Sequence, residues 1–196
     1  MLADNTLRYG TTTRWLHWIM AALFVWQFTG MGLKHLLGRV PLTAFWVGTH
    51  PSVGSLLLLL IFLRLGWALS QRRRRPSYGP GLVGKAAKAG HAAMYALMLV
   101  VPTLGMVRML GDVRPISLFG LALRPGSGQE VAWMTAPANL VHGALAWTLL
   151  ALIAGHVLMV IVHRFVWHDE TLGRMIGHDP GRRIGPNGLG QALEVK

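Results

Sequence analysis

The chain has 196 residues, 53% of them apolar and only 13% charged, about half the roughly 25% of an ordinary globular protein, so a soluble globule is excluded. Its 19 Lys and Arg against 7 Asp and Glu give a net charge of +12, but with so little total charge the partner this implies is membrane lipid, not nucleic acid. The absence of Cys excludes disulfides, Fe–S clusters, thiolate zinc sites, Cys nucleophiles and covalent c-type haem, so any redox or metal chemistry must rest on His, Met or a dissociable cofactor.

Four stretches reach the roughly 20 apolar residues needed to cross a bilayer. The first spans about 15–33 and carries Trp15, His17 and Trp18 just after Arg14. It is too long and Trp-rich for a cleavable signal and lacks a small-residue cleavage site. The second spans about 45–69, contains the run LLLLLIF, and has His50 near its start. Pro51 follows at once, restricting the backbone and removing one helical hydrogen bond there. An RRRR run at 72–75 leads to the third span, about 89–110, with His91 near its start. The fourth, about 139–167, holds His142, His156 and His163. The runs are continuous and not alternating, which predicts helices and no strands. The fold expected is an all-α, integral membrane four-helix bundle over 1–176, followed by a loosely ordered Gly-rich tail over 177–196.

None of the acidic residues falls inside a span. The basic residues divide by position. Fourteen lie on the side of the two termini and the RRRR loop; five (Lys34, Arg39, Arg108, Arg114, Arg124) lie on the other. The positive-inside rule therefore places both termini in the cytoplasm.

The nine histidines are the most informative feature. His35, His168 and His178 fall in loops or tails. His17, His50, His91, His142, His156 and His163 lie in or at the edges of spans, where an ionisable group is costly and marks a candidate function. For any one alone, a structural hydrogen bond between helices is the competing explanation. On the fourth span His142 and His156 are two heptads apart, with Leu149 between, so all three share a face at about 10 Å intervals. His163 continues that face. Helix direction puts His17 level with His156, and His50 level with His142. Two bis-His pairs at two depths result, each able to hold one haem iron. Gly54, Gly143, Gly155 and Ala21 adjoin the four ligands and leave room for a flat macrocycle, although close helix packing would use the same residues. Arg14 lies one turn before His17, and Arg64 two heptads after His50; both are placed to pair with propionates.

These residues are recognisable. RWLHW in the first span, TH at 49–50, GHAAMYALMLVVPTLGM in the third, and His142, His156 and HRFVWHDETLGRM in the fourth make the chain resemble the bacterial cytochrome b561 family, over about 12–175. The resemblance implies two haems b with His17, His50, His142 and His156 as axial ligands to iron, in a bacterial inner membrane. A subgroup, superoxide oxidase, passes electrons from superoxide to ubiquinone. The resemblance also assigns His91 and His163 to ubiquinone, at one depth beside the inner haem. An imidazole there can supply the hydrogen bond and protons that reduction to ubiquinol requires. Trp15, Trp18, Arg75 and Lys88 are candidates to line that site.

The leading expectation is thus a quinone-linked oxidoreductase, a superoxide:ubiquinone oxidoreductase drawing on superoxide or another one-electron donor. The small excess of cations on the outer side would steer such an anion inward. Two alternatives stay open: a cytochrome b subunit anchoring a periplasmic dehydrogenase or hydrogenase, with a periplasmic redox protein as partner, and a His-lined metal-ion transporter.

Overall fold

A computed structural model describes residues 3–177, and the tail beyond them, with His178, lies outside the described residues. The elements run α1 (Thr11–Leu37), α2 (Pro41–Ser70), α3 (Gly81–Gly111), β1 (Ile116–Leu118), β2 (Leu121–Arg124), α4 (Ala132–Phe165) and α5 (Thr171–Ile176). The four expected spans are all present as helices. At 27, 30, 31 and 34 residues they are about 40–50 Å long, whereas the hydrocarbon core is about 30 Å thick. Hydropathy marks only the part of each helix that needs lipid. The observed helices therefore outrun the expected spans at nearly every end.

The one exception has a local cause. α4 stops at Phe165 because the chain turns back: His168 takes a left-handed φ of 52°, and the Asp169 N–H donates to the His163 carbonyl at 3.0 Å. Pro51 does not start α2 but sits inside it, as Pro102 and Pro137 do in α3 and α4. Near Pro51 the backbone gains side-chain partners: Gln27 Nε2 donates to the His50 carbonyl at 3.0 Å and Ser55 Oγ to the Pro51 carbonyl at 2.8 Å. These bonds brace carbonyls beside the proline; the acceptor that Pro51 itself frees is the Val47 carbonyl one turn earlier.

Two caps set how α1 is held. Its first turn borrows a distant carboxylate: Asp4 Oδ1 accepts from Gly10 N and Thr13 Oγ1, both at 2.7 Å. Asp4 is buried and also pairs with Arg75 at 3.0 Å. At the other end, Gly38 (φ 72°) closes α1 with a bond to Lys34 O. Thr43, buried, accepts from Val40 N and donates back across the same turn to Gly38 O at 2.8 Å. Three residues thus join α1 to α2.

α1 packs on α2, α2 on α3 and α3 on α4. Met20, Leu57 and Ile61 form one buried cluster, with Leu23, Phe24, Tyr95 and Leu99 around them, all from α1, α2 and α3; α4 buries Ala138 and Leu149. α4 leans on α3 instead, and makes no comparably close approach to α1 or α2. The outward faces carry exposed Val25, Leu59, Phe62, Leu140 and Leu158, a surface that water does not tolerate and lipid does.

One element was not expected. β1 and β2 form an antiparallel hairpin whose turn residues, Phe119 and Gly120, both have positive φ (53° and 80°). The Phe119 N–H donates to Ser52 Oγ at 2.9 Å, fastening the hairpin to α2 close to His50. Strands this short leave no alternation to read in the sequence. The hairpin marks one end of the bundle (the hairpin end); the N-terminal segment, the α2–α3 loop and α5 mark the other (the terminal end).

Candidate functional site

Four histidines meet in two pairs across the separation between α4 and its non-neighbours. His17 of α1 faces His156 of α4, with ring centres 6.3 Å apart and planes at 73°. His50 of α2 faces His142 of α4 at 6.1 Å and 70°. The two rings on α4 are about 21 Å apart along the axis, and Leu149 between them is 1% exposed. These are the pairs, and the levels, expected from helix direction and heptad spacing.

The spacing fits a shared metal. A metal–imidazole bond of about 2.0 Å places the centres of two opposed axial rings about 6 Å apart. Both pairs match. His50 and His142 also bury Nδ1 atoms that have no hydrogen-bond partner among the described residues. No group of three or more His, Cys, Asp or Glu suited to a bare ion occurs among those residues. Two ligands per site suit an iron whose macrocycle brings its own equatorial nitrogens. Of the glycines beside the ligands, Gly143 and Gly155 are exposed and a Cβ on either would meet no atom within 4 Å, whereas one on Gly54 would lie 3.4 Å from Gln27 Nε2. The residues present fit haem.

At the terminal end, Arg64 Nη2 lies 3.0 Å from His17 Nδ1 and Arg64 Nε donates to Tyr95 Oη at 3.0 Å. His91 joins the same cluster, its ring 5.3 Å from that of His156 and 5.4 Å from that of Tyr78. It is nonetheless set apart from the ligand pair. Its Nδ1 donates to the Ala87 carbonyl at 2.7 Å, and its ring lies closer to His156 than two opposed axial rings do.

His163 lies one heptad past His156, about 10 Å along α4. Its Nδ1 is 2.5 Å from Asp169 Oδ2 and 3.3 Å from Thr171 Oγ1, and its ring packs edge-on against Trp167 at 4.6 Å. Burial works against the Asp169 charge, but hydrogen bonds from His163 and Thr171 outweigh it and hold the carboxyl below its ordinary pKa. His91 and His163 thus occupy separate clusters at one end of the bundle, and not the one depth expected: His91 lies against His156, and His163 about 10 Å further along α4.

Arg14 donates to the Ile176 carbonyl at 2.9 Å and to Thr11 Oγ1 at 3.3 Å, tying the start of α1 to the end of α5. Its Nε is buried without a hydrogen-bond partner. Trp15 and Trp18 line a groove of about 320 Å³ between α1 and α5, and Trp18 Nε1 donates to Met175 O at 3.4 Å. Arg75 is engaged by Asp4, and Lys88 is exposed.

Several contributors escaped sequence reasoning. Tyr95 orients Arg64, and Gly105 lets His142 lie against α3, since a Cβ there would sit 3.3 Å from the His142 ring. Both fall in GHAAMYALMLVVPTLGM, the only signal that pointed to them. At the hairpin end three of the five expected cations have local work. Arg108 and Arg114 pair with Asp112 at 3.7 and 2.7 Å, while Arg124 donates to the carbonyls of Leu110 and Asp112. Hydrogen bonds from the Arg114 side chain and backbone hold the Asp112 carboxyl well below the usual range.

The comparisons with known proteins agree with this geometry. A family model described as prokaryotic cytochrome b561 matches residues 8–178. "Cytochrome b561 homolog 2" of Escherichia coli (strain K12) is 31% identical over 87% of this chain and 92% of its own length. "Cytochrome b561 homolog 1" of the same organism is 27% identical over 86% and 97%. The "Probable superoxide oxidase CybB" of Yersinia pestis is 26% identical over 82% and 91%. Haem b is the cofactor that such a family implies, and membership sets aside the metal-ion transporter. Four helices able to cross a bilayer, two facing histidine pairs and a match along most of the sequence lead to one conclusion: the chain belongs to the prokaryotic cytochrome b561 family of multi-pass membrane cytochromes.

Proposed function

We propose that the protein is a di-haem membrane cytochrome b that passes electrons from superoxide to ubiquinone. The observation that carries the reading is the pair of near-identical His–His spacings, 6.3 and 6.1 Å, at two levels of α4 about 21 Å apart. His17 and His156 would hold one haem b, His50 and His142 the other. Bound there, the two irons would carry single electrons between the ends of the bundle.

The protein's own residues do the rest. The basic surplus around the termini and the RRRR loop favours a bacterial inner membrane with both termini in the cytoplasm. The hairpin end then faces outward, where its remaining net positive charge draws in an anion. Arg64 supports propionate binding. A guanidinium only donates, so its present bond uses the lone pair of His17 Nδ1. A His17 ring that ligates through Nε2 carries its proton on Nδ1 and releases Arg64 for an anionic propionate. Arg14, with its spare Nε, is a second candidate. His91 and His163, both at the terminal end, supply the protons: two superoxide anions become two dioxygen molecules while ubiquinone takes up two electrons and two cytoplasmic protons to become ubiquinol.

A reduced-minus-oxidised spectrum with haem stoichiometry, followed by superoxide-driven ubiquinone reduction in the isolated protein, tests this. Two haems per chain and turnover without any other subunit are expected. Absence of a reducible haem would sink the proposal; turnover only with a co-purifying dehydrogenase or hydrogenase would favour the anchoring-subunit reading.

A further inference from the structure

His91 and His163 share one feature: each has its Nδ1 held by an oxygen, leaving Nε2 as the working nitrogen. They differ in what holds it. For His91 the acceptor is the backbone carbonyl of Ala87, four residues earlier in the same helix, a contact any helix offers. For His163 it is a carboxylate from beyond the end of α4, and the chain goes to some length to bring it there. The helix ends at Phe165 and His168 adopts positive φ. The Asp169 N–H bonds to the His163 carbonyl, and Asp169 Oδ1 accepts from Thr171 N at 2.9 Å, fixing the side chain from its other oxygen. Trp167 packs against the ring. The two bonds of Asp169 to the His163 carbonyl and to Thr171 N hold its other oxygen on the imidazole nitrogen.

We propose that Asp169 is a positioning residue for quinone reduction: its carboxylate holds the proton of His163 on Nδ1, so that Nε2 takes up each cytoplasmic proton, hands it to a quinone oxygen and returns to a bare lone pair. The proposal rests on the function proposed above. Quinone takes two electrons and two protons to give quinol, and each proton must reach an oxygen through a group of defined direction. An imidazole free to change tautomer presents a lone pair or an N–H by chance; one whose Nδ1 faces a carboxylate does not.

Asp169→Asn is the informative variant. It keeps the side-chain shape and the Oδ1 acceptor for Thr171 N. Toward His163 it can present an amide N–H, which calls for a lone pair on Nδ1 and moves the ring proton to Nε2, where it cannot be given up without leaving an imidazolate. In full-length protein with haem bound, the variant should retain wild-type haem content and wild-type haem reduction by superoxide. Re-oxidation of the pre-reduced protein by a short-chain ubiquinone should slow about tenfold or more, in kcat rather than KM. His163→Ala should slow it similarly, with no further loss on adding Asp169→Asn. Asp169→Glu should recover part of the rate. ¹⁵N histidine spectra of the membrane-reconstituted protein give an independent readout: His163 carries its proton on Nδ1 in the wild type and on Nε2 in Asp169→Asn.

Wild-type turnover left intact by Asp169→Asn would overturn this proposal alone. So would equal losses in the presence and absence of His163, haem loss in the Asn variant, or an Nε2–H tautomer in the wild type. A wild type that binds haem yet fails to reduce ubiquinone would overturn the function proposed above, and this proposal with it.

Discussion

The two ends of the bundle hold a histidine pair of nearly the same spacing in different company. At the hairpin end, His50 and His142 bury unpartnered Nδ1 atoms. The groups against them are neutral, Gly105 behind His142 and Gln27 on the His50 carbonyl, although Lys34 and Arg108 are close enough for their charges to be felt. The nearby arginines are turned to Asp112 and to backbone carbonyls. At the terminal end, His17 meets a guanidinium, His156 meets a third imidazole, and a His–Asp couple stands one heptad further on. On the proposed function, one end handles electrons and the other handles electrons with protons. An imidazole pair alone serves the first task. The second requires groups that give and take protons beside it.

The sharpest way to break this comparison is to remove one ligand. His142→Ala should halve the haem content and spare the haem at the terminal end, and His17→Ala should do the reverse. Haem stoichiometry with difference spectra decides it, and loss of both haems or of neither would refute the pairing. Next comes the charge contrast. Arg64→Met removes a positive charge beside one pair only, so a single haem potential should fall, on the order of tens of millivolts, in a redox titration. Two equal shifts, or none, would mean that the guanidinium does not distinguish the ends. At the hairpin end the matching test is steric. Gly105→Val pushes on the His142 ring and should weaken retention of that haem several-fold, while Gly105→Ala, whose Cβ needs only a few tenths of an ångström, should have a smaller effect.

The smallest expected effect concerns acid. The Asp112 pKa is lowered in the folded state, so its stabilising contribution is present above the ordinary value of 3.8 and is lost only as pH falls through the lower folded value. The α3–hairpin junction should therefore survive the range just below pH 3.8, in which ordinary carboxylates become protonated. Carboxyl ¹³C shifts would show Asp112 still ionised there, and Asp112→Asn should remove the extra acid tolerance.

What was legible in the sequence depended on the range over which each contact is decided. Heptad arithmetic placed His142, Leu149 and His156 on one face because α4 is unbroken between them. Helix direction then matched them to His50 and His17. Pairings between helices with no common period were not legible: Tyr95 reaches Arg64 and Asp4 reaches Arg75 through packing alone. The role of Asp169 was hidden for another reason. It lies in a turn, where a left-handed His168, and no periodicity, sets the direction of the chain. The hairpin escaped because a pair of strands three and four residues long has no pattern to detect.

The buried carboxylate at Asp4 carries a consequence for how the protein is made. Two of its partners, Gly10 and Thr13, emerge from the ribosome with it, but Arg75 follows only after α2 has been synthesised. The start of α1 is bonded to α5 as well, through Arg14 and through Tyr9 N on the Arg174 carbonyl. The end that carries His17 and His91 is therefore sealed by α5, which is made after all four spans, and insertion of the spans precedes its closure.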